Sequence, residues 1–234
     1  MKRNITKTFA VMAFAALTLS FAACKSNDDN NEFSDENAAA IASQFVDHTV
    51  APTYTNLAAA TEQLADQLAA RKDGPTDAGV RTACETFLDA RAWWEKSEAF
   101  LFGAAGDFGI DPHIDSWPLD RPGLANNLSN AKVMEALASD GVDAISQLGE
   151  TALGFHGIEF VLFRDGKNRS LASLQANESD EAFTAIGAQV TGDQELVYAT
   201  AVAGDLRDKC FQLEVAWRGE SASLSHQNRV EEPD

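Results

Sequence analysis

The sequence predicts an all-α fold, an up-down bundle of long antiparallel helices. Three observations predict it. Apolar residues recur at alternating spacings of three and four over several long segments, the repeat of one buried helix face. Alanine is abundant, and no Asn-Gly or Asp-Gly pair lies between alternating apolar runs, so the pattern carries no hairpin signal. The six prolines, at 52, 75, 112, 118, 122 and 233, mostly fall between the stripes rather than inside them. A chain of 234 residues with 45% hydrophobic and 23% charged residues has the make-up of a globular protein of one domain or two small ones. That composition excludes a wholly disordered chain, a collagen and a multispan membrane protein. Acidic residues outnumber basic ones 36 to 18, a formal charge of −18. A field of that sign repels phosphate, so no nucleic-acid partner is expected.

The chain opens with a leader. Lys2, Arg3 and Lys7 form a basic stretch, and residues 9–23 are an apolar run too short to span a bilayer that ends in small residues. Residues 1–23 therefore read as a signal peptide. The run closes on Phe21-Ala22-Ala23-Cys24, which resembles a bacterial lipobox with Phe21 where Leu is usual. The resemblance implies lipidation of Cys24 and a lipid anchor to a bacterial membrane. Residues 24–33 are polar and acidic and read as a flexible tether.

The helical body follows over 34–218. A first segment begins at Ser34 or Asp35, both capable caps, and runs to Arg71, with Pro52 expected to kink or interrupt it. Its stripe is Tyr54, Leu57, Thr61, Leu64 and Leu68. A second segment covers 76–102 with the stripe Val80, Cys84, Phe87, Arg91, Trp94, Glu98 and Leu101, which places two charges on a buried face. Residues 103–123, rich in Gly and Pro, read as an irregular loop of functional length, followed by a short helix over 124–138. A helix over 141–164 carries Val142, Ile145, Gly149, Ala152, His156, Glu159 and Phe163, and Arg164-Asp165-Gly166 closes it. Residues 165–192 read as loop. A last helix over 193–218 presents Leu196, Ala199, Ala203, Leu206, Cys210, Leu213 and Trp217, and the tail 219–234 is expected to be disordered. Cys84 and Cys210 fall on apolar stripes and read as buried thiols rather than a disulfide.

His156 and Glu159 are three apart, so one helix face projects an imidazole and a carboxylate together. They belong to Gly154-Phe155-His156-Gly157-Ile158-Glu159, a Gly-x-His-x-x-Glu pattern. Upstream stand Ala92-Trp93-Trp94-Glu95-Lys96-Ser97-Glu98 and Ile114-Asp115-Ser116-Trp117-Pro118. In this order the set resembles the imelysin-like family of bacterial envelope proteins, over residues 35–218 and the first half of that family. The resemblance implies an imelysin-like helical fold and a place in the bacterial cell envelope, lipid-anchored at the outer membrane and facing the periplasm or the outside. It also implies iron-uptake proteins as partners and a link to metallopeptidases.

A metallopeptidase needs about three protein ligands to a metal, an open position for water and a general base. His156, Glu159, Glu98 and Asp115 are the candidate metal ligands, with Glu159 the catalytic candidate if the protein is a peptidase. One imidazole among carboxylates suits a divalent metal such as iron or calcium at least as well as zinc. The second histidine of a His-Glu-x-x-His pair is missing. Three readings stay open: an envelope lipoprotein that binds a metal ion or ligand, an imelysin-class metallopeptidase, and a non-catalytic interaction lipoprotein.

Overall fold

The structure, a computed structural model, describes residues 34–177 and 179–218. The leader 1–23, the lipidation site Cys24, the tether 24–33 and the tail 219–234 lie outside those residues. The described residues divide into two units between Ser43 and Gln44. Helix α1, Asp35–Phe45, is capped by Ser34, whose Oγ accepts from the Asn37 N–H at 3.2 Å.

The body is all-helical apart from one small hairpin. The chain widens into a π-helical stretch, Val46–Val50, and continues as α2, Ala51–Ala69. This wide turn is the form that the expected break at Pro52 takes, since a proline cannot donate into a regular ladder. Tyr54, Leu57, Thr61, Leu64 and Leu68 are all buried. Burying a leucine such as Leu64 stabilises the fold by about 1.5–3 kcal/mol.

Helix α3, Asp77–Ser97, starts at Thr76, whose Oγ1 accepts from the Gly79 N–H at 3.0 Å. The last helix of the body, Gly192–Trp217, opens on a capping box between Thr191 and Gln194. Both run antiparallel to α2. Phe100 meets Tyr54 edge-on and Trp217 stacks on it at one end, while Thr200 meets Arg71 and Leu68 at the other. Cys84 and Cys210 are buried free thiols. Burial pushes the Cys84 thiol up to about 11 and that of Cys210 higher still.

The expected helix over 141–164 is not one helix. It is broken into 3-10 stretches, Gly141–Gln147 and Glu150–Ala152, and the helix Gly154–Leu162. The cause is backbone geometry. Leu148 and Gly149 are extended between the two 3-10 stretches, Leu153 is extended before the last piece, and Gly154 has φ of +69°. The break turns the buried face from the predicted stripe to Phe155, Ile158, Val161 and Leu162. His156 becomes partly exposed and Glu159 exposed.

The stretch read as irregular loop holds two short helices, α4 (Ala104–Asp107) and α5 (Asp111–Asp115). Then come α6 (Arg121–Ser129) and α7 (Ala131–Asp140), and the helix at the motif, Gly154–Leu162, is α8. It joins α2, α3 and the last helix to close the four-sided core, lying against both α3 and the last helix.

Residues 163–168 correct a second expectation. Phe163–Arg164 and Lys167–Asn168 pair as an antiparallel hairpin, β1 and β2, around Asp165-Gly166. Both turn residues have positive φ, as a type I′ turn requires. The Asp-Gly signal was present but followed a helix rather than an alternating run. Short helices α9 (Leu171–Gln175) and α10 (Glu181–Ala185) lead into the last helix, α11 (Gly192–Trp217). No described helix is long and apolar enough to cross a membrane.

Candidate functional site

The motif glycines position the site. A Cβ on Gly154 would collide with the carbonyl oxygen of Ile114, so α8 can begin hard against the end of α5. A Cβ on Gly157 would collide with the Tyr198 hydroxyl, which donates to the Ala152 carbonyl at 2.5 Å. The first approach delivers Asp115, the last residue of α5, to the side chain of His156.

Asp115 is the hub. Its Oδ1 accepts from Arg91 Nη1 at 2.5 Å and lies 3.0 Å from His156 Nε2, while its Oδ2 accepts from the buried Trp94 Nε1 at 2.8 Å. The other ring nitrogen of His156, Nδ1, is 3.2 Å from Glu159 Oε2. Burial alone would raise the Asp115 carboxyl, but the bonds from His156, Arg91 and Trp94 outweigh it and hold it at about 2. The Asp115 bond raises His156 above its ordinary value, against the opposing effects of burial and of the Arg91 charge. Both nitrogens face carboxylate oxygens, and only the imidazolium donates at both. With His156 protonated, the site is a chain of alternating charge: Arg91, Asp115, His156, Glu159.

Of the predicted ligands, the structure brings Asp115, His156 and Glu159 together and leaves Glu98 out. The buried stripe of α3 ends at Ser97. Glu98 starts a 3-10 turn, Glu98–Phe100, and is exposed. Arg91, two turns earlier on that stripe, holds the place beside Asp115. His113 turns away to the buried Asp205 of α11, with its Nδ1 3.0 Å from Oδ2. The roles of Arg91 and Trp94 on Asp115 were missed. The available signal was their shared stripe, one cation and one N–H donor at a spacing of three.

As placed, these residues do not fit a metal. Among the described residues no group of three or more His, Cys, Asp or Glu side chains is arranged to hold one. Each ring nitrogen of His156 faces a single carboxylate, so no third acidic ligand gathers at either one. Both oxygens of Asp115 are already taken by donors.

Beside His156 opens a cleft of about 710 Å³, lined by Trp117, Phe160, Phe163, Arg121 and Arg164 among others. That volume falls within the range of small-molecule sites. Trp117 is 72% exposed, and its ring centroid is 4.5 Å from that of His156. Phe163 packs on Phe87, and Phe160 on Phe183, so the cleft floor is continuous with the core.

The imelysin family model matches residues 50–233. Iron-regulated protein A of Synechococcus elongatus is 34% identical over 119 residues, 51% of this chain and 30% of that protein. A crystal structure from Parabacteroides distasonis, of a candidate iron-regulated protein A precursor, is 26% identical with a TM-score of 0.61. It aligns over 81% of this chain and 47% of that one. An imelysin peptidase from Bacteroides ovatus is 34% identical with a TM-score of 0.51, over 62% of this chain and 42% of that one. The chain thus spans about half the length of these solved relatives or less.

Proposed function

We propose that this chain, which belongs to the imelysin family, is a bacterial envelope protein that binds a small ligand in the cleft beside His156. One observation carries the reading. The motif histidine is engaged at both ring nitrogens, at the edge of an open cleft with an aromatic floor. While it stays protonated, an imidazolium flanked by two carboxylates has no lone pair to offer a metal or to serve as a general base. It is well suited to fix the wall of a binding site and to present one face to Trp117. The names of two relatives support a link to iron, which we assign to the ligand or its transport rather than to a bare ion on His156. Lipidation at Cys24 would tether this body to the membrane, beside iron-uptake partners.

Metal analysis of the purified protein, wild type beside His156→Ala, tests the reading. The expected result is no stoichiometric metal in either protein and no cleavage of unfolded peptides. One equivalent of iron, zinc or calcium in the wild type, lost in His156→Ala, would overturn it in favour of a metal centre.

A further inference from the structure

The inner end of the cleft is a knot of arginines. Arg121 Nη2 donates to both oxygens of Asp180, at 2.5 and 2.6 Å. Arg164 Nη2 donates to Glu195 at 3.2 Å, and its Nη1 lies 3.9 Å from Asp180. Arg169 Nη1 is bidentate on Glu195, 2.9 Å from each oxygen. Three guanidiniums thus surround two buried carboxylates, an excess of one positive charge in a chain of formal charge −18. Among the described residues one further acid pairs with them, Glu181, 3.4 Å from Arg121 Nη1 and 85% exposed, a pair that water screens.

Their donors are also under-used. Arg121 Nε, Arg164 Nε, and Arg169 Nε and Nη2 are buried and have no hydrogen-bond partner. Arg169 is fully enclosed, but Arg121 and Arg164 keep part of their surface on the cleft. At the mouth stands Trp117, a large exposed aromatic of the kind that anchors ligands. The acids that line the cleft are committed or peripheral. Asp180 is taken by Arg121, Glu159 by His156, and Asp165 sits exposed on the hairpin turn. Among the described lining residues none offers a free carboxylate to a cation.

We infer that the cleft takes an organic anion with a planar aromatic body, its ring on Trp117 and its carboxylate received by Arg121 and Arg164. The inference rests on the reading of this cleft as the binding site and adds the class of ligand. Guanidinium and carboxylate match in shape as well as charge, and an aromatic body can lie over Phe160 and Phe163 between the two ends.

Calorimetry with three probes of one shape tests it: 2-naphthoate, 2-naphthylmethylammonium and 2-naphthalenemethanol, each titrated into the purified protein at neutral pH. Naphthoate should bind at least tenfold more tightly than the other two. Arg121→Gln should weaken naphthoate at least tenfold and leave the alcohol nearly unchanged, while Trp117→Ala should weaken every probe that binds. Should Arg121→Gln fail to fold, salt serves instead: naphthoate binding should weaken severalfold from low to high salt and that of the alcohol should not. Equal or tighter binding of the ammonium, still weakened by Trp117→Ala, would overturn the anion assignment and leave the cleft as a binding site. No binding of any probe would overturn both.

Discussion

Gly154 begins α8 so close beneath Ile114 that a methyl group on its α-carbon would strike the Ile114 carbonyl oxygen. Everything at the site depends on that approach, because the next residue after Ile114 is Asp115. Gly154→Ala should therefore be destabilising twice over. The left-handed backbone at φ +69° costs an alanine about 1–3 kcal/mol, and the collision adds to it. Urea unfolding should show a loss of at least the backbone part. A change within error of zero would mean that α5 and α8 do not pack as described.

Asp115→Asn removes the charge that holds Arg91 and His156. The His156 imidazole should titrate closer to its ordinary value, followed by its ring-proton NMR signals across pH. The loss of stability at neutral pH should be about 2 kcal/mol, less than the 3–5 expected for a fully buried pair because this one keeps some solvent.

His156 also makes stability depend on pH, and the sign follows from its raised folded value. Its contribution is fully present below the unfolded value of 6.5 and is lost as pH rises through the higher folded value. Wild type minus His156→Gln, measured by chemical denaturation, should therefore shrink from pH 6 toward alkaline pH. A difference that grows over that range would contradict the imidazolium assignment.

Arg169 and Glu195 are almost fully enclosed and bidentate, so removing one leaves the other charged and alone. Glu195→Ala should cost about 3–5 kcal/mol. Arg169→Met paired with Glu195→Leu should recover much of that, which a double-mutant cycle would measure.

The anchor is tested apart from the fold, since Cys24 lies outside the described residues. Cys24→Ser should release the protein from membranes or leave an unprocessed precursor, read by detergent partition and by mass. Normal processing with full partition into detergent would rule the anchor out. The expectation rests on acyl chains, of which one binds marginally and two hold stably.

Much of the helical body was legible because periodicity reports burial directly. Tyr54, Leu57, Leu64 and Leu68, and likewise Leu196, Ala203, Cys210 and Leu213, lie on the faces that their spacing assigned. The same reasoning failed where a backbone term outweighs the pattern. Residues 141–164 keep a three-four spacing, yet extended backbone at Leu148, Gly149 and Leu153 and the positive φ of Gly154 break the helix and rotate its buried face. At the site, the neighbourhood of His156 and Glu159 was legible from their spacing of three. The place of Asp115 was not, because a contact between a short helix and a distant glycine leaves no periodic trace. Glu98 was misplaced by carrying the stripe past the end of α3 at Ser97 into the 3-10 turn that follows.

The two buried thiols have a practical consequence. Cys84 and Cys210 lie on different helices, are fully enclosed, and are held in the unreactive protonated form. A colourless-to-yellow thiol reagent added to the folded body can react with them only through molecules that have opened. Its rate then acts as a clock for conformational breathing: with excess reagent it reports how often the bundle opens, and with scarce reagent what fraction of molecules is open.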